Sequence, residues 1–158
     1  MLNQPMKKVL PQANSLEKVV RVLTFAYNKP DFTPEEIAVC LGFKDGKTRQ
    51  SAYYLNACYY LGLVDAYGRC TDLGREIMNH PEKALESIYK LVFIEPYCSK
   101  IIATIIFNKE QDPILFAEKI LIANDNSGYG CETYRRRAQS FVSWCNEVVG
   151  YINNSLLL

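Results

Sequence analysis

The stretch LGLVDAYGRCTDLGREI, running from Leu61 to Ile77, carries the most information about the fold. Leu63 to Ala66 reads as a short strand, Tyr67-Gly68 as a tight turn, and Arg69 to Thr71 as the returning strand. Thr71 or Asp72 then offers a side-chain acceptor to the first turn of a further helix. Three helices precede this hairpin. Ser15 caps the first, SLEKVVRVLTFAYN, in which Leu16, Val19, Val20, Leu23 and Tyr27 recur at helical spacing and Val22 and Phe25 widen the apolar face. Thr33-Pro34-Glu35-Glu36 supplies an N-cap, a proline at the first helical position and a glutamate three residues on, a strong start for a short second helix ending near Gly42. A polar turn, Lys44-Asp45-Gly46, leads into a third helix from about Lys47 to Tyr60.

Three helices followed by a hairpin whose return strand runs into T-D-x-G resemble, over residues 15–80, the winged helix-turn-helix DNA-binding domains. There the phrase LGLV…G-R…T-x-x-G marks the end of the recognition helix and the wing. The resemblance implies a mainly α fold with small β-hairpin wings. Residues 1–14, with two prolines and little periodicity, read as a flexible N-terminal arm.

Residues 81–158 read as a helical linker and a second winged-helix-like domain, giving two such units in tandem. Helices are expected at about 82–94, 97–108 and 114–123, then a polar turn NDNSGYGCE and a long helix from Thr133 to Val149. Gly150-Tyr151-Ile152 stands where Gly62-Leu63-Val64 stood in the first half, although the terminal NNSLLL offers no clear second wing.

Eighteen basic against seventeen acidic residues exclude both an acidic disordered chain and a protein that coats nucleic acid by charge alone. The balance is uneven along the chain. Residues 1–75 carry ten Lys and Arg against seven acids, and residues 76–158 carry eight against ten. No run of about 18 apolar residues is present to span a membrane, and the N-terminus lacks the apolar core of a signal peptide. The six cysteines, at 40, 58, 70, 98, 131 and 145, form no C-x-x-C pair, and His80 is the only histidine. Neither a zinc site nor a disulfide framework is indicated, so reduced thiols and a cytoplasmic location are expected, with no metal and no cofactor.

A helix-turn-helix delivers the N-terminal part of its third helix to the major groove. Arg pairs bidentately with guanine and Gln with adenine, so Arg49 and Gln50 suit base readout. Lys47, Thr48 and the hydroxyls of Tyr53 and Tyr54 suit phosphate contacts. Arg69 follows the hairpin turn, where a cation meets phosphate or enters the minor groove. Tyr134-Arg135-Arg136-Arg137, followed by Gln139, is the densest positive charge in the chain. Three adjacent arginines fan around a helix, so at most two face one partner. At a helix N-terminus they oppose the macrodipole by about a few tenths of a kcal/mol unless an anion is near.

The segment ETYRRRAQSFVSW resembles the T-x-x-R-R-A-x-T-x-x-S-W helix of winged-helix modules in type II restriction-modification proteins. Thr133, Arg136, Arg137, Ala138, Ser143 and Trp144 match, and Ser140 replaces threonine. RQSAYYLNACYYLGLV resembles the first unit of the same modules. The pairing implies the target-recognition part of a restriction-modification protein. Pro30-Asp31 with Asp45-Gly46-Lys47 fits a nuclease pattern formally, but that chemistry needs adjacent strands and these residues read as loops. With one histidine and no nucleophile-base pair, no catalytic constellation is visible, and an enzyme is not expected. The expectation is therefore a double-stranded-DNA-binding protein without enzymatic activity, working with a second copy of itself or with a separate nuclease domain. Two other readings stay open: a transcriptional regulator binding its operator as a dimer, and a protein-interaction module that never touches DNA.

Overall fold

The computed structural model describes residues 1–44 and 48–156, in two units, Met1–Ile88 and Tyr89–Leu158. The first unit is built on α1 (Leu16–Asn28), α2 (Pro34–Cys40), α3 (Thr48–Tyr60) and α4 (Asp72–Met78). Helix α1 buries Leu16, Val19, Val22, Leu23 and Ala26 against α2, α3 and α4, while Tyr27 on the flank stays 40% exposed. Its N-cap is Ser15, whose Oγ accepts from the Lys18 N–H. Helix α2 opens with a full capping box: Glu36 N–H donates to Thr33 Oγ1, and Thr33 N–H donates to the Glu36 carboxylate.

Helices α2 and α3 end alike. At Gly62, φ is +75°; its N–H donates to Tyr59 O and that of Leu63 to Cys58 O, a Schellman motif that turns buried Leu63 back onto the core. Gly42 and Phe43 repeat the arrangement after α2.

The hairpin wing expected at residues 63–71 is not formed. Among the described residues there is no strand, only a single antiparallel bridge between Val64 and Cys70. The connection is closed by a side chain instead of a ladder. Asp65 Oδ1 accepts from the N–H groups of Tyr67 and Arg69, and Asp65 Oδ2 accepts from Arg69 Nε at 3.0 Å. Thr71 follows at once and caps α4 by accepting from the Gly74 N–H, which leaves no residues to extend a second strand. Gly68 sits over the Phe32 ring, and Gly74 lies so close to the Leu63 carbonyl that a Cβ would stand 2.2 Å from its oxygen. These contacts seal a compact loop on the core. Residues 1–14 have no regular structure, yet Leu2 and Met6 donate to Tyr67 O and Ala66 O, and Leu10, Pro11 and Ala13 are buried.

A 3₁₀ turn, Pro81–Lys83, precedes α5 (Ala84–Ile94). The second unit centres on α6 (Pro96–Phe107), α7 (Pro113–Asn124) and α8 (Cys131–Leu156), each packed on the other two. Glu95 and Asp112 cap α6 and α7 with their carboxylates, and a proline occupies the first position of both. Trp144 and Phe141 meet edge to face at 5.8 Å and are fully buried with Ile101, Leu121 and Cys145.

No second wing exists either. Helix α8 runs 26 residues and passes straight through Gly150, which lacks the positive φ of Gly62. Apolar residues explain the difference. Val148, Tyr151 and Ile152 continue the helical stripe of Trp144 and Cys145, whereas after Gly62 it is Leu63 that has to fold back. The architecture is thus helical in both units, and the mainly α part of the expected fold class stands without its β-hairpins.

Candidate nucleic-acid interface

Helix α3 has two faces. Ser51, Tyr54, Leu55, Ala57 and Cys58 turn inward, and Ser51 Oγ donates to Thr48 O within the first turn. Arg49, Gln50 and Ala52 are exposed, with Thr48 and Tyr53 half-buried beside them. Arg49 Nε donates to the Tyr53 hydroxyl at 2.8 Å, and its guanidinium lies over the same ring. The charge is thus held by a neutral partner. Arg21, Arg69, Arg75 and Arg136 each pair with a carboxylate. Lys47, expected at the start of this face, lies outside the described residues.

Tyr54 does not belong to the surface. It is buried against Phe43, and Lys18 Nζ sits 5.1 Å from the Phe43 ring centre and 5.8 Å from that of Tyr54. Arg69 is engaged in its own loop by Asp65 and by the Tyr67 ring. Partial burial raises the Asp65 pKa, but the N–H groups of Arg69 and Tyr67 and the Arg69 guanidinium outweigh it and hold the carboxyl below its ordinary value. Arg69 therefore closes the loop first, and reaching a phosphate requires it to leave Asp65.

On α8 the arginines divide as helical geometry requires. Arg135, Arg136 and Gln139 are exposed on one face, and Arg136 pairs with Glu132 one turn back. Arg137 turns the other way, half-buried, its guanidinium 5.2 Å from the centre of the Tyr129 ring. Tyr134 is core: it is buried, and its hydroxyl donates to Asp125 Oδ2 at 2.9 Å. Of the expected set, Thr48, Arg49, Gln50 and Tyr53 are brought together on α3. Arg135, Arg136 and Gln139 are brought together on α8. Tyr54 and Tyr134 are packing residues.

Sequence reading missed Asp65 as the organiser of its loop, although an aspartate two residues before the turn is the sequence mark of an Asx turn. It also missed Lys18 and Tyr129 as aromatic-cation partners, which spacing alone does not reveal. Among the described residues no three His, Cys, Asp or Glu side chains converge to hold a metal ion, and no helix is long and apolar enough to cross a membrane.

Fold and surface together define a two-unit helical protein with an exposed cationic helix face in each unit. The chain belongs to the family described as a domain of unknown function, DUF7226, whose model matches residues 18–153. No curated protein and no solved structure matches it.

Proposed function

We propose that this protein binds double-stranded DNA, with α2 and α3 acting as a helix-turn-helix pair and the exposed start of α3 entering the major groove. The observation that carries the reading is the pairing of exposed Arg49 and Gln50 on the first turn of a helix whose opposite face is anchored in the core. A rigidly based helix end bearing the two side chains that read guanine and adenine bidentately is what direct readout requires. Tyr53 supports this by fixing the Arg49 guanidinium from the side. Each such base contact is worth about 1–3 kcal/mol of discrimination.

Arg135, Arg136 and Gln139 contribute phosphate contacts. Arg136 gives up an exposed ion pair worth about 0–1 kcal/mol and gains a charge-assisted bond to phosphate worth about 1.5–3 kcal/mol. The exchange therefore runs toward DNA. The near-neutral total charge makes non-specific binding weak, so selectivity rests on the few placed side chains.

Fluorescence anisotropy with labelled duplexes across a salt series tests the reading. Binding should weaken with salt, and Arg136→Ala should lower affinity uniformly and flatten the log–log slope by about 0.9. Arg49→Ala should change the ranking among sequences. Affinity independent of salt, or two variants indistinguishable from wild type, sinks the proposal.

A further inference from the structure

We infer that the second unit carries a self-association surface, and that its partner is a second copy of this chain. Between α5, α6 and the end of α8, within this unit, lies an open groove of about 580 Å³ lined by Phe93, Ile102, Ile106, Val148, Tyr151 and Ile152. Its walls are apolar, so a partner placing peptide edges, sugar or phosphate inside would leave those groups without hydrogen bonds. Phe107 stands at its rim with 86% of its surface exposed, and Phe93 is 48% exposed. At about 200 Å² per ring, these two residues alone leave roughly 250–300 Å² of aromatic surface in water. That already approaches the largest apolar patch of an ordinary monomer, about 300–600 Å².

Further apolar area lies alongside. Leu156, 80% exposed, follows Val148 and Ile152 at four-residue steps along α8 and lengthens the stripe. Aromatic rings, aliphatic groove and stripe together approach the ~800 Å² per partner that a stable interface buries. The unit offers both halves of such a contact, an apolar groove and a projecting aromatic ring on its rim. A two-fold pairing needs that self-complementarity, because the same patch must serve on both sides. The inference stands independently of DNA binding and concerns a different unit from α3.

Sedimentation equilibrium of the full chain without DNA tests it. Wild type should be a dimer at micromolar concentration, and Phe107→Glu should raise the dissociation constant about 30-fold or more, the effect of losing a central aromatic anchor. Leu115→Glu, on a half-exposed site of α7 outside the groove, should leave the dimer intact. If Phe107→Glu fails to fold by far-UV circular dichroism, Ala103→Glu, an exposed position in the same groove, serves in its place. A wild-type monomer at roughly 100 μM overturns the inference. So does a dimer that survives the groove charge, or one that Leu115→Glu breaks equally well.

Discussion

Replacing Gly62 and Gly150 in turn by alanine separates a continuous α8 from a helix that stops and returns. Gly62 sits at φ +75° in the Schellman motif that ends α3, and a Cβ there meets nothing within 4 Å. The cost of Gly62→Ala is therefore conformational alone, about 1–2 kcal/mol for placing an L-residue in the left-handed region. Gly150 has no positive φ, lies inside α8, and a Cβ there likewise meets nothing within 4 Å. Gly150→Ala should therefore stabilise by about 1 kcal/mol through helix propensity. The two variants should differ by about 2–3 kcal/mol with opposite signs, or several degrees in Tm at about 2–4 °C per kcal/mol. Urea unfolding followed by far-UV circular dichroism reads both, and fluorescence of Trp144, the single tryptophan, reports the second unit. If Gly150→Ala destabilises as Gly62→Ala does, α8 breaks at residue 150 and the account of the second unit is wrong.

Acid should loosen the 65–69 loop. The depressed Asp65 pKa means its stabilisation is complete above the unfolded carboxyl value of about 3.9 and is lost as pH falls through the folded value. Asp65→Ala should cost about 1 kcal/mol, modest because the ion pair is partly exposed, and should flatten the acid limb of a stability-versus-pH curve. Gly74→Ala should destabilise by about 1–3 kcal/mol despite a gain in helix propensity, since its Cβ must displace the Leu63 carbonyl; a rise in urea midpoint contradicts this. In the native protein a disulfide reagent should modify exposed Cys131 first and spare Cys58, Cys98 and Cys145, whose burial disfavours the reactive thiolate. Early labelling of Cys58, read by peptide mass spectrometry, would count against the packing described for α3.

Helix positions were legible because their signals are local. Ser15, Thr33 and Thr71 cap the helices they were expected to start, and the apolar spacing of α1 and α3 selects the residues that are buried. The wings were not legible for a physical reason. Val64 and Cys70 do pair, but the alternation around them cannot say how far a ladder extends, and the capping duty of Thr71 ends it after one bridge. Gly62 and Gly150 show the same limit, since both precede apolar residues. What differs is whether those residues find the core by folding back, as Leu63 does, or by continuing the helix, as Ile152 does. In the candidate interface, Arg49 and Gln50 followed from helical position, whereas Tyr54 and Tyr134 were misassigned because a tyrosine hydroxyl suits both phosphate and the edge of a core.

Selection of bound duplexes from a random pool, run in parallel with wild type and Arg49→Ala, tests the central claim most directly. The account predicts that wild type enriches a short motif containing a guanine and that Arg49→Ala loses preference at that position while still binding DNA. An unenriched pool, or the same motif from both proteins, would contradict it.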